Sequence, residues 1–472
     1  MRGGKERFDL QRLDVSFLNM QDTIAAISTP FGEGAIALLR LSGPEALRIA
    51  DGVFRSRRRA AELPPRVQQF GAIADEAGVL DEVLLTVFPA PGSYTGEEMV
   101  EIACHGGILV TRRILGLLLE RGARAAGPGE FTQRAFLNGK MDLTQAEAVM
   151  DLIRAQTDLG LRAATEQLEG RLGERIREIR DALLDLLAHV EAYIDFPEED
   201  IAPDTGGALL ARLDAVGERI DLLLRTADQG RVLREGVRTV IYGAPNVGKS
   251  SLLNRLLGYE RAIVSEIPGT TRDTIEEVVN LRGIPLRLVD TAGVRDSQCA
   301  IEREGISRTL RHVERADLVL HVVDASQPRT EEGGPGSLAD GEGTATVLRI
   351  LNKVDLGEHP SWAGCDGVRI SCVDAEGCGG IEPLAEAIFS QALGRGLTSG
   401  DFAVAINARH QACLSKAAQY AQTARQSFVD GLSAEFLSIE LRCALDAVGD
   451  VVGRVETEDL VGKIFSTFCL GK

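Results

Sequence analysis

With 472 residues, 44% of them hydrophobic and 26% charged, the chain is long enough for about three cores and too apolar to be intrinsically disordered. A formal net charge of −18 excludes indiscriminate binding to polyanions, because each phosphate contact needs a Lys or Arg. Eight cysteines without a C-x-x-C pair or a histidine cluster exclude a disulfide framework and a structural zinc site, and no apolar run approaches the ~18 residues of a membrane span.

The first twenty residues mix Arg and Lys with Glu6, Asp9 and Asp14, unlike a signal or transit peptide, so a cytoplasmic protein with no membrane contact is expected; Met20 is an alternative start. Over residues 23–126, short apolar runs at 36–41 and 83–88 alternate with Gly/Pro turns, the pattern of an α+β domain with a sheet. Arg55, Arg57, Arg58 and Arg59 form its one dense basic cluster, which fits an exposed loop as well as an RNA contact. From Leu143 the period changes. Leu168, Leu172, Ile176, Ile179, Leu183, Leu187, Val190 and Ile194 recur at three or four residues and predict a long helix, although Gly170 and Gly173 weaken its start. A second amphipathic segment spans 209–233. Strand and helix signals then alternate from 237 to about 393, and the chain is helical again beyond Asn407. The predicted fold class is multidomain α/β plus α: an α+β domain at 20–140, a helical bundle made from 141–234 and 396–472, and a P-loop, Ras-like α/β domain at 235–395 inserted between them. Residues 326–344, rich in Gly, Pro, Glu and Asp, read as a surface loop.

Gly243-Ala244-Pro245-Asn246-Val247-Gly248-Lys249-Ser250 fits G-x-x-x-x-G-K-[ST] directly after an apolar strand and opens into a helical run from Leu252 to Leu257, with Ser251 between them counted among the GTP-binding residues. Glycines there let consecutive N–H groups curl around phosphates, Lys249 bridges the terminal phosphates and the Ser250 hydroxyl binds Mg²⁺. Asp290-Thr291-Ala292-Gly293 follows a strand, with Asp290 near the metal and the Gly293 N–H beside the γ-phosphate. Asn352-Lys353-Val354-Asp355 follows another, and a carboxylate at Asp355 accepts two hydrogen bonds from the guanine N1–H and 2-amino group, which adenine lacks. Ser371-Cys372 closes over the base. Within Ser265-Glu266-Ile267-Pro268-Gly269-Thr270-Thr271, Thr271 is the second Mg²⁺ ligand. These elements, in this order, predict a GTPase. Val294 stands where a water-orienting Gln is common, and no arginine finger is identifiable, which leaves Glu302 and Glu304 as candidate carboxylates and a cation as the source of positive charge.

Outside the nucleotide motifs, the chain resembles the MnmE (TrmE) family of tRNA-modification GTPases over nearly its whole length from Asp22. The resemblance lies in Asp22-Thr23-Ile24-Ala25-Ala26, Gly127-Pro128-Gly129-Glu130-Phe131-Thr132, Asp142-Leu143-Thr144-Gln145-Ala146-Glu147-Ala148, Asp195-Phe196-Pro197-Glu198-Glu199-Asp200 and the ending Phe468-Cys469-Leu470-Gly471-Lys472. Glu33 and Pro268 depart from the family's usual residues. The resemblance implies that the first domain binds a 5-formyl- or 5,10-methylene-tetrahydrofolate through Arg40, Glu101, Lys140 and Lys472. It also implies a homodimer whose G domains associate in K⁺, with Asn246 and carbonyls of Ser265, Ile267 and Thr270 as ligands. It selects Glu302 as the catalytic carboxylate, ahead of Gly305-Ile306. Its partners would be tRNA and the FAD-carrying flavoprotein MnmG, in a heterotetramer that adds an aminomethyl or carboxymethylaminomethyl group to carbon 5 of the wobble uridine. For Cys469, a role in that chemistry and a thiol packed by the folate pocket remain equal readings.

Overall fold

A computed structural model describes residues 22–195, 206–259, 277–289, 313, 315–329, 345–373, 380–393, 405–453 and 458–472. Two compact units result: residues 1–146 with 456–472, and residues 147–455. Among the described residues no helix is long and apolar enough to cross a membrane.

Alternation along the strands builds the first unit. Its strands are β1 (Ile24–Ile27), β2 (Gly34–Ser42), β3 (Phe54–Arg55), β4 (Gln69–Asp75), β5 (Gly78–Phe88), β6 (Met99–Gly106) and β7 (Arg124–Ala125), paired in the order β3-β4-β5-β6-β2-β1-β7. Ala37, Leu39 and Leu41 of β2, Val100 and Ile102 of β6 and Val83, Leu85 and Val87 of β5 share one buried face, covered by α1 (Ala46–Val53) and α2 (Ile108–Glu120). On the other face Ile24 and Ala26 pack with Ala126, Phe131 and Tyr94. The registers Leu38↔Ala103, Ala103↔Leu84 and Leu84↔Phe70 carry that face outward to Leu84 and Phe70, both exposed.

Helix α3 (Glu130–Leu137) starts from Gly129 at φ +65°, where a Cβ would lie 2.9 Å from the Phe465 carbonyl and from Phe468 Cβ. The closing segment occupies that space. After a helix at Glu458–Phe465, the Gly129 N–H donates to the Cys469 carbonyl (3.3 Å), the Phe131 N–H donates to the Lys472 carbonyl (3.2 Å), and Pro128 pairs with Leu470. The closing motif, which the sequence places at the end of the helical segment 396–472, therefore belongs to the first unit: Phe465 and Phe468 bury their rings here.

The second unit contains α4 (Leu143–Arg154) from Glu147 on, then α5 (Asp158–Leu168), α6 (Arg171–Asp195), α7 (Gly206–Leu224) and α8 (Ala227–Glu235). The apolar stripe expected as one helix begins in α5 and continues in α6, because Gly170 at φ +92° turns the chain between them. The 209–233 segment is likewise two helices, parted where the Thr226 hydroxyl donates to the Leu223 carbonyl (2.7 Å).

Beyond α8 come β8 (Val237–Tyr242), α9 (Lys249–Tyr259), β9 (Glu277–Leu281), β10 (Ile284–Leu288), β11 (Leu318–Asp324), β12 (Thr346–Asn352), β13 (Val368–Arg369) and α10 (Glu382–Leu393). The sheet order is β13-β12-β11-β8-β10-β9, parallel except for β9. A parallel sheet delivers the carboxyl ends of β8, β11 and β12 to one edge, where loops can converge on a ligand. Helices α11 (Ala408–Val429) and α12 (Ala434–Val452) pack with α6 and α7 around Leu183, Leu186, Leu213, Ile220, Leu414, Leu441 and Val448.

The return into the bundle is fixed by one carboxylate. Arg409 grips Glu147 with two bonds (2.7 and 3.0 Å) and also donates to the Asp450 and Val451 carbonyls, Asn407 donates to Glu147 (3.0 Å), and His410 Nε2 lies 2.6 Å from it. The Asn407 N–H donates to His410 Nδ1, so the neutral ring carries its proton on Nε2, facing the carboxylate. Burial alone would raise the Glu147 pKa, but His410 and Arg409 hold it at about 2. A depressed carboxylate stabilises the fold above its unfolded pKa, and that contribution is lost as the pH falls from 4.5 toward about 2. Glu147→Ala strands a buried cation and is expected to lower the unfolding free energy by about 3–5 kcal/mol near neutral pH, read from urea denaturation. The deficit should shrink in acid, and a variant with wild-type stability at pH 7 would refute the assignment.

Candidate functional site

The phosphate loop follows β8. Gly243 has φ +155°, and a Cβ on it would lie 2.3 Å from the Val322 carbonyl, so the strand-to-loop turn passes flush against β11. Asn246 adopts φ +64°, left-handed for a non-glycine residue, and Gly248 lies at φ +101°. Val247 is buried, while Asn246 and Ser251 are exposed. The Lys249 ammonium, at the start of α9, donates to the carbonyls of Gly243 (3.0 Å) and Ala244 (2.7 Å), which folds the side chain over the loop. Burial lowers its pKa. A phosphate entering this cradle gains the helix N-terminus and the lysine together.

The Asn352-Lys353-Val354-Asp355 motif is tied directly to this loop. Asn352, at the end of β12 and almost fully buried, donates its amide to the Val247 carbonyl (2.8 Å). The fit is so close that a Cβ at Gly248 would stand 2.2 Å from Asn352 Nδ2. Lys353 turns at φ +64° and donates to Asp324 Oδ2 (2.7 Å), while Asp324 Oδ1 accepts the Ser326 amide and hydroxyl (3.0 and 2.6 Å). Burial raises the Asp324 pKa, but Lys353 and Ser326 outweigh it and hold the carboxylate below its ordinary range. Asp355 Oδ1 accepts the hydroxyl of the buried Ser371 (2.6 Å), and its Oδ2 meets no donor among the described residues. That oxygen and the second lone pair of Oδ1 suit two adjacent N–H donors. Cys372 lies beside Ser371 and packs half-buried against the core of the sheet, where burial pushes its thiol up to about 11.

Of the sequence-predicted residues, the structure brings together Asn246, Val247, Gly248, Lys249, Ser250, Ser251, Asn352, Lys353, Asp355, Ser371 and Cys372. Glu302, Ser265, Glu266, Ile267, Pro268, Gly269, Thr270, Thr271, Asp290, Thr291, Ala292 and Gly293 lie outside the described residues. Sequence reasoning missed Asp324, which pairs with Asn352 across β11 and β12 and so sits beside Lys353; the available signal was an acid ending an apolar strand.

A family model described as the MnmE helical domain matches residues 143–469, and one described as the GTP-binding protein TrmE N-terminus matches residues 23–140. The chain belongs to the MnmE family. It is 53% identical over 455 residues to the tRNA modification GTPase MnmE of Akkermansia muciniphila, covering 95% of this chain and 99% of that protein. The proteins of the same description from Geobacillus kaustophilus and Aquifex aeolicus are each 46% identical, covering 96% of this chain and 99% and 100% of theirs. As an MnmE-family chain it is a GTP-binding GTP hydrolase.

The family's first domain holds a second cluster. Arg40 and Glu101, opposite each other on β2 and β6, form an ion pair at 2.8 Å, and the Arg40 guanidinium lies 5.5 Å from the Tyr94 ring centroid. The Tyr94 hydroxyl contacts Thr132 Oγ1 (2.9 Å). Burial, then the charge of Arg40, lower the Lys472 pKa, with Glu101 and Cys469 acting the other way. Lys140 donates to the Pro91 carbonyl (2.9 Å), and its side chain packs against Gly96 on the loop that carries Tyr94. Cys469 is exposed.

Asp355→Asn exchanges a two-fold acceptor for one acceptor and one donor. GTP affinity is expected to fall roughly 100-fold while ATP stays weak, since two charge-assisted hydrogen bonds are impaired. Xanthosine triphosphate, which presents an oxygen where guanine has its amino group, should gain affinity. Fluorescent-nucleotide titration reads both changes, and unchanged GTP affinity would remove Asp355 from the base site.

Proposed function

We propose that this MnmE-family chain is a K⁺-activated GTPase that works with the flavoprotein MnmG to install the aminomethyl or carboxymethylaminomethyl group at carbon 5 of the tRNA wobble uridine, using a tetrahydrofolate one-carbon unit. The observation that carries the GTPase half is the bond from Asn352 to Val247, which couples the guanine-reading loop to the phosphate loop. The proposed organisation is a folate-binding domain at 20–140 completed by the closing segment 456–472, a helical domain from 141–234 and 396–455, and a GTPase domain at 235–395, acting in the cytoplasm.

Ser250 and Thr271 would hold Mg²⁺, and Asn246 with main-chain carbonyls of Ser265, Ile267 and Thr270 would hold K⁺. Bound there, the two cations would neutralise charge developing on the phosphates, the service an arginine finger gives elsewhere. The exposed, left-handed Asn246 suits a ligand shared across two G domains. Glu302 orients the attacking water, and Asp290 and Gly293 meet the metal and the γ-phosphate side. Hydrolysis drives G-domain association and conformational change.

For folate, Glu101 offers its carboxylate to the pterin amino and ring N–H groups, with Arg40 fixing its orientation at 2.8 Å. Lys140 and Lys472 suit the glutamate carboxylates. The exposed row ending in Leu84 and Phe70 supports a homodimer through the sheet of the first unit. Two copies with two of the FAD-bearing partner form the heterotetramer.

GTP turnover in K⁺ is expected to exceed that in Na⁺ at equal ionic strength by more than tenfold, because the activating charge depends on a cation of the right size. Glu302→Ala should abolish the K⁺-stimulated rate while nucleotide affinity holds. Equal rates in the two salts, or full turnover in the variant, would overturn the respective assignments. Glu101→Gln should weaken tetrahydrofolate binding in equilibrium titration and leave GTP turnover unchanged.

A further inference from the structure

The arginine cluster of the first unit plays no part in the GTP or folate sites. Arg55 lies on β3, the end strand of the seven-stranded sheet, and Arg57, Arg58 and Arg59 follow in the loop leading to a short 3₁₀ turn at Ala60–Glu62. All four side chains are exposed, and none makes an ion pair among the described residues. The loop is nonetheless fixed. Phe54 and Ala60 bury its two ends, and the Ser56 hydroxyl donates to the Arg58 carbonyl (2.6 Å) while receiving the Arg58 N–H.

Two neighbouring acids bond the backbone rather than the arginines. Asp51 accepts the Ala60 N–H, and Glu62 accepts the Arg59 N–H (3.4 Å). Four exposed arginines thus lie within five residues, with no ion pair to a carboxylate among the described residues, in a chain of net charge −18. Arginine's planar fork binds phosphate with two parallel bonds, and four of them on one short ordered stretch match a polyphosphate backbone. An anionic membrane fits less well, because between residues 55 and 62 no large apolar side chain is exposed to enter the acyl region.

We propose that Arg55, Arg57, Arg58 and Arg59 form a docking patch for the phosphate backbone of tRNA. The patch positions the RNA without reading its sequence, since contacts to phosphate carry none. It rests on the tRNA-modification reading above, and it explains how a strongly acidic protein contributes to holding an acidic substrate.

The test uses the full chain and an unmodified tRNA transcript, with binding followed by fluorescence anisotropy across a salt series. Replacing all four arginines by Gln should weaken binding at least about tenfold and flatten the plot of log affinity against log salt by up to about 3.6 units, as expected from four contacts at ~0.9 counterions released per duplex phosphate. Replacing them by Lys should restore the slope, and GTP turnover should be unchanged in both variants, which controls for folding. Equal affinity and slope for wild type and the Gln variant would overturn the patch and leave the tRNA reading standing, provided the wild type with its flavoprotein modifies tRNA. A wild type that neither binds nor modifies tRNA would overturn both. Loss of binding to anionic vesicles or polyglutamate in the Gln variant, with tRNA binding intact, would assign the patch to another partner.

Discussion

The candidate nucleotide site is held together by a single buried amide. Asn352 leaves β12 where the parallel strands end, and its donor reaches the carbonyl of Val247 in the phosphate loop. The loop can approach only because Gly248 has no side chain; a Cβ would collide with the amide nitrogen. Lys353 must then turn left-handed, and Asp324 takes its ammonium. Asp355 follows one turn later, oriented by Ser371. The loop after β8 and the Asn352-Lys353-Val354-Asp355 motif are thus two ends of one hydrogen-bonded construction. Local strain at Asn246 and Lys353, both non-glycine residues at positive φ, is sustained because these bonds determine the backbone from both sides.

The first unit answers a different problem: how to hold a chain end beside a folded sheet. Arg134 is almost fully buried and surrounded by Asp22, Glu97 and Glu130, and Arg124 adds a second cation on Asp22 and Glu130. Burial would raise the Glu130 pKa, but Arg124, the Gly127 N–H and Arg134 together bring it down. Buried ions are costly unless fully paired, so this cluster defines geometry more than it adds net stability. What it defines is the turn from Gly127 into α3, where the Gly129 and Phe131 N–H groups donate to the closing segment and set Lys472 near Arg40 and Glu101.

The parts of this architecture legible in the sequence are those whose chemistry is local. The phosphate loop, the Asn352-Lys353-Val354-Asp355 motif and the strand at 237–242 could be read because spacing and residue type are the mechanism. Helix faces were legible by period, but their interruptions were not: Gly170 and Thr226 break helices through φ and a hydroxyl bond that apolar spacing does not record. Asp324 was invisible because its role arises from strand register, and Glu147 with His410 because the partners are far apart in the chain. The docking of residues 469–472 on α3 escaped for the same reason, since the periodicity around it promised only more helix.

That long-range pairing matters most where the inserted sheet joins the bundle. A Cβ at Gly230 of α8 would lie 2.4 Å from the Ile406 carbonyl, and Arg234 donates to the same carbonyl (2.7 Å). The segment leaving the bundle and the one returning to it are therefore clasped at the base of the insertion, which is why an α/β sheet can interrupt a helical domain without opening its core. On one side α8 leads directly into β8 and the phosphate loop. On the other, Ile406 is followed by Asn407, which caps α11 and bonds to Glu147. On the sheet side, Leu159 of α5 fills the space over Gly283, so a second helix is wedged against the turn between β9 and β10. Two adjacent residues, Ile406 and Asn407, thus bond to α8 and to the buried Glu147 carboxylate, so the return into the bundle is tied on both sides.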